Sequence, residues 1–199
     1  MPNERTEREF RSVLEECKQI FLAKLRDYGP AWRFLRLPAL ADKILIKAKR
    51  IRRLGELGGQ GQIPENAEAE YLGIANYCLV ALIVIEAIRR AGSYDVEDLL
   101  LERWSDPNAA TAELDRLVAS TTALLARKNH DYDDAWRDMD LSSYPDEILS
   151  RMARVKHMAA REASGQVSEA LESQFYDTLN YAALALMRHR YDSPQPHPP

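Results

Sequence analysis

The chain has 199 residues, 46% of them hydrophobic and 29% charged, with a formal net charge of −4. This is the make-up of one or two ordinary globular domains with a real core, and it gives no general attraction to polymeric nucleic acid or to an anionic membrane. Any phosphate recognition must come from a local group of cations. Cys17 and Cys78 have neither metal-ligand nor disulfide-framework spacing. The polar stretch from Met1 to Glu7 lacks the apolar run of a secretion signal. The longest apolar stretch, Leu79 to Ile85, is far short of the roughly 20 residues a membrane span needs, so a cytoplasmic protein is expected.

Helical periodicity dominates, and almost nothing alternates as a strand would. Phe10, Val13, Leu14, Cys17, Phe21 and Leu25 trace one face of a first helix. It should stop near Asp27, Tyr28, Gly29 and Pro30, where glycine supplies a left-handed cap and proline cannot continue. A second helix fits Leu40 to Leu57, and a third should run from Pro64 to about Arg90. Around Ile74 to Ile85 the third helix is apolar on nearly every side, the pattern of a fully buried helix. A connector over 92–109 carries a short helix near Val96 to Arg103. Further helices are expected over Thr111–His130, Tyr144–Ser164 and Ser168–Tyr191, with a disordered proline-rich tail over 193–199.

The chain repeats itself. Residues 24–86 align without a gap on 128–190 with 19 identities in 63 positions. The identities are mostly charged, amide or aromatic: Lys24/Lys128, Asp27/Asp131, Tyr28/Tyr132, Trp32/Trp136, Arg33/Arg137, Asp42/Asp146, Arg50/Arg154, Glu65/Glu169, Glu68/Glu172, Asn76/Asn180 and Tyr77/Tyr181. A duplicated core need keep only its aliphatic pattern, so this set marks a polar constellation. The expected fold is all-α: two three-helix repeats, 1–91 and 110–192, packed as one internally duplicated bundle about a pseudo-two-fold axis.

Three groups carry chemistry. Lys24, Asp27, Tyr28, Trp32 and Arg33, with Lys128, Asp131, Tyr132, Trp136 and Arg137, combine aromatic faces for a base with cations for a phosphate. They equally suit core anchors and a stabilised turn. Lys47 and Arg50, matched by Arg151 and Arg154, are spaced to clamp a phosphate oxygen, while Asp42 and Asp146 read as helix caps. Glu172, with Asp177 and Asn180, offers carboxylates and an amide to Mg²⁺. Glu65 and Glu169 are explained by the helix dipole. Asn76 and Asn180 lie in apolar helices, where an amide must find a partner. Because Gly73 stands where the second copy has Asp177, chemistry is expected in the second copy.

The doubled Lys-x-x-Asp-Tyr motif with its Ala-Trp-Arg, the Lys/Arg-x-x-Arg stretch and the Glu…Asn-Tyr helix resemble the nucleotide modification associated domain 1 family, whose members often occur in tandem. The resemblance covers about residues 10–90 and 114–190 and implies a role in nucleotide metabolism or base modification. A more distant likeness is to MazG-like all-α pyrophosphohydrolases, which hold Mg²⁺ with paired acids. Glu169, Glu172 and Asp177 look similar, although Gln174 stands where another acid would fall. The expected ligand is therefore a nucleotide or phosphorylated small molecule, with Lys128, Arg151 and Arg154 on phosphate and Trp136 or Tyr132 against the base. A homo-oligomer is compatible with the sequence. An enzyme would be a Mg²⁺-dependent nucleotide hydrolase, and would need Lys128, Asp131, Arg154, Glu172 and Asp177 in one cleft. The rival is a non-catalytic helical binding or assembly module whose polar residues satisfy one another.

Overall fold

The computed structural model describes residues 2–59, 61, 66–159 and 167–192. Within them the chain forms seven α-helices and no strand. The first copy consists of α1 (Pro2–Tyr28), a 3-10 turn (Ala31–Phe34), α2 (Leu37–Glu56) and α3 (Ala67–Ala91). A short α4 (Glu97–Trp104) connects it to α5 (Pro107–Tyr132), a matching 3-10 turn (Ala135–Asp138), α6 (Ser143–Ala159) and α7 (Glu169–Met187). A π-helical turn, Arg188–Asp192, follows α7.

Local chemistry sets these bounds. Gly92 caps α3 in the left-handed conformation, with its N–H on the Ile88 carbonyl. Asn66 opens α3 by accepting from the Ala69 N–H at 3.0 Å, so this helix starts at Ala67. Pro64, the expected start, and Glu65 lie outside the described residues, as do 160–166 and the tail 193–199. α5 starts earlier than expected because Asp106 caps it and Pro107 takes its first turn, which shortens the connector. α7 is α-helical to Met187 and runs on as the π turn to Asp192, which spans the expected end at Tyr191.

α2, α3, α7 and α6 close a four-helix ring, α2 against α3, α3 against α7, α7 against α6 and α6 against α2. α1 and α5 pair with one another and pack on α3 and α7. The core is continuous across both copies, from Phe10, Leu14 and Ile44 to Tyr144, Ile148 and Phe175. α3 is long and apolar enough to cross a membrane by composition alone, yet 78% of its most apolar window is buried inside this bundle. The copies are related by a pseudo-two-fold, and two ion pairs mark it. Asp42 accepts from Lys156 at 2.7 Å, and its image Asp146 lies 3.2 Å from Arg52. This corrects the capping expectation for Asp42, which bridges the copies from beyond the first turn of α2. Asp146 bridges the copies from the first turn of α6, where its charge also meets the helix dipole.

Ile85 is fully buried on α3. Ile85→Ala should cost about 2–5 kcal/mol and shift the urea midpoint of one shared transition. Separate transitions for Trp fluorescence and helical circular dichroism would show that the copies do not fold as one unit.

Candidate functional site

In the second copy, the end of α5, the 3-10 turn, α6 and α7 enclose a cleft of about 670 Å³. Its lining includes Lys128, Asp131, Tyr132, Trp136, Arg151, Asp177 and Asn180, seven of the residues expected from sequence, together with Asn129 and Tyr181. The cleft is graded. Its inner wall is apolar and aromatic, with Leu125 6% and Trp136 8% exposed, and Asn180 is 5% exposed. At the rim, Tyr132 is 70% exposed, and Asp131 and Lys128 are solvated.

Lys128 Nζ donates to Asp177 Oδ1 at 2.5 Å. Arg151 lies over the Tyr181 ring at 4.4 Å and donates to Glu147, with its Nε 3.7 Å from Asp177 Oδ2. That separation is beyond hydrogen-bond reach, so the buried Arg151 Nε has no acceptor. Asn180 Oδ1 is likewise buried without a donor. The cleft therefore holds one unsatisfied donor and one unsatisfied acceptor, where buried polar groups are normally paired.

The turn carrying Trp136 is fixed from behind. Asp133 and Asp134 both adopt left-handed backbone angles, φ 44° and 59°, costly for residues with a Cβ. The Asp134 carboxylate offsets this by accepting from Thr6 Oγ1 at 2.9 Å, from Asn129 Nδ2 and from Trp136 Nε1 at 3.3 Å. Tyr144 donates to the Trp136 carbonyl at 2.8 Å. Burial pushes its hydroxyl up to about 12, so the proton stays in place at neutral pH. Arg137 stacks on the Trp136 ring at 4.3 Å. Its guanidinium donates to Glu9 at 2.9 Å and Asp192 at 2.5 Å, which places it behind the cleft and not in it.

Two further expected members lie elsewhere. Glu172 accepts from Arg89 of α3 at 2.6 Å in a separate groove. Five residues separate it from Asp177, which turns the two about 140° apart on an ideal helix, so the expected pair does not converge. Arg154 is exposed and does not line the cleft. The five-residue convergence expected of a hydrolase is thus met by Lys128, Asp131 and Asp177 and not by Arg154 or Glu172. Among the described residues no group of three His, Cys, Asp or Glu side chains is placed to hold a metal ion.

The first copy is built differently. Trp32 packs against Phe21 at 5.8 Å and Trp104 at 5.4 Å. Tyr28 is 74% exposed, Lys24 and Asp27 are exposed, and Arg33 stacks on Phe34. Asn76 donates to the Leu72 carbonyl at 3.0 Å within its own helix, and its Oδ1, like that of Asn180, is buried without a donor. Glu70, 4% exposed, accepts from Lys47 at 2.8 Å and from Arg50. The Lys47 stem crosses Gly73 so closely that a Cβ there would stand 2.7 Å from Lys47 Cε. Glu70 matches Gln174, and Gly73 matches Asp177. The carboxylate has moved by one helical turn between the copies, and its partner with it: Glu70 holds both α2 cations, whereas Asp177 holds Lys128 of α5 and Arg151 is paired with Glu147 of its own helix.

Sequence reasoning missed Glu70, Asn129, Asp134 and Thr6. The repeat hid them, because Asn129 and Asp134 replace Leu25 and Pro30. A polar residue in an apolar slot of the other copy was the available signal.

A family model described as nucleotide modification associated domain 1 matches residues 24–85 and again residues 128–188. The chain belongs to this family. Of the cleft residues named above, all but Leu125 fall within the second matched segment. No curated protein and no solved structure matches the chain.

Glu70→Gln removes the carboxylate that two partly buried cations share. Breaking a buried pair costs 3–5 kcal/mol, less where the cations reach water, so a loss of about 1–3 kcal/mol is expected in urea unfolding. A loss below about 0.5 kcal/mol, the scale of an ordinary surface change, would show that the network is not structural.

Proposed function

We propose that the second-copy cleft binds one nucleotide, base inward and phosphate at the rim. The observation carrying this reading is the buried pair of unsatisfied polar atoms, Asn180 Oδ1 and Arg151 Nε, beside the aromatic walls of Trp136 and Tyr181. A nucleobase presents a flat face for the rings and a polar edge for the amide. Lys128 at the rim supplies a cation for phosphate. The volume lies within the range of small-molecule sites, about 300–1,000 Å³. The family description points the same way in general terms, towards nucleotide modification.

Hydrolysis of a nucleoside triphosphate with Mg²⁺ is not part of this proposal, because Arg154 and Glu172 do not line the cleft and Asp131 and Asp177 are too few for a protein-only metal cage. The non-catalytic reading describes the first copy better, where Lys47, Arg50 and Glu70 satisfy one another.

Thermal shift against nucleoside mono- and triphosphates, with and without Mg²⁺, tests the proposal. At one hundred times Kd a ligand adds about 2.7 kcal/mol of stability, and Asn180→Leu should remove most of the gain. No shift with any nucleotide, or a shift untouched in Asn180→Leu and Lys128→Ala, would move the function away from this cleft.

A further inference from the structure

The two cations of the cleft already share an anion. Asp177 accepts from Lys128 at 2.5 Å, and its other oxygen stops 3.7 Å short of Arg151 Nε. One carboxylate is thus an incomplete partner for both. In the first copy the equivalent task falls to Glu70, whose side chain is 5% exposed and which engages Lys47 and Arg50 together. Asp177, by contrast, is 26% exposed and lines the open cleft one turn from Asn180. Both copies neutralise their cations internally, but only the second does so with an anion that solvent and ligand can reach.

Resting on the nucleotide reading above, we infer that Asp177 stands in for the ligand's anionic group, and that the cleft selects a nucleoside monophosphate. A phosphate presents three oxygens in tetrahedral array and can meet Lys128 and Arg151 Nε at once, where the planar carboxylate meets one. Charge-assisted bonds from both cations favour that exchange. The charges lining the cleft limit the phosphate count. Lys128 and Arg151 face Asp131 and Asp177, and Arg151 keeps its bond to Glu147, so displacing Asp177 exposes one ammonium and one guanidinium Nε–H, enough for a single phosphate group. A metal-free triphosphate would bring further negative charge with no lining cation to meet it, and Asp131 at the rim would repel it.

Calorimetry in Mg²⁺-free buffer with chelator tests this, using nucleoside 5′-monophosphates, the matching nucleosides and triphosphates as probes. Wild-type protein should prefer mono- to triphosphate. Asp177→Asn should bind the monophosphate about three- to tenfold tighter, on the scale of one partly exposed ion pair, with nucleoside affinity unchanged. Asp131→Asn removes the same charge without releasing Lys128 and should gain less. Asp177→Ser gives a second variant should the first fold poorly, and binding by a variant alone supports the inference equally. Equal or weaker monophosphate binding by the Asp177 variants overturns it while leaving the nucleotide reading intact. So does an equal gain in Asp131→Asn, or a wild-type preference for triphosphate. Absence of binding by every protein with every probe removes the nucleotide reading, and this inference with it.

Discussion

α3 presents apolar side chains on nearly all of its circumference, and such a helix has to be covered on every side. Its burial dictates the rest of the molecule. One copy supplies α1 and α2 as cover. The remaining surface falls to α7, and α6 then closes the ring against α2. Neither copy has enough helices to do this alone. The duplication is therefore the means by which the central helix leaves water, and the cleft of the second copy is formed at the periphery of an interior that both copies share.

Polar residues retained within this scaffold fall into two kinds. Some hold the copies in register: Asp42 with Lys156, Asp146 with Arg52, Glu172 with Arg89, and Glu68 with Arg190 at 3.0 Å. Exposed pairs of this sort contribute little stability, typically below about 1 kcal/mol. Their value is that each joins complementary points of the two copies. The other kind surrounds the cleft. There the backbone itself is strained at Asp133 and Asp134, and Thr6 of α1 and Asp192 at the end of the described chain both reach in to hold the turn. Elements distant in sequence are spent on fixing one indole.

Most of the fold was legible in the sequence because helical period, glycine stops and proline starts act locally. Element ends were less so. The start of α5 is set by Asp106 and Pro107, a local capping signal that the apolar pattern does not contain. The site was legible in part through the same 104-residue offset that revealed the repeat. Lys128, Asp131, Tyr132, Trp136 and Asn180 could be named because each survives in both copies. Arg151 and Asp177 were reachable through Lys47 and Gly73, where the copies differ. Glu172 was misplaced because spacing along a helix does not say which neighbour a long carboxylate meets, and Arg89 meets it first. Asp134 was invisible because its role depends on a left-handed backbone and on Thr6, more than a hundred residues away.

The one-turn displacement of the carboxylate, Glu70 in one copy and Asp177 in the other, also constrains how duplicated halves can drift. From the first arrangement, losing Glu70 takes the shared carboxylate away from Lys47 and Arg50, while a side chain gained at Gly73 meets only the flexible end of Lys47, which can swing aside. The two steps therefore differ in cost, and an acid can appear at position 73 before the one at position 70 is given up. The asymmetry between a closed half and an open one is in that sense reached through a half that carries both carboxylates, and the loss of the buried one is what opens the site.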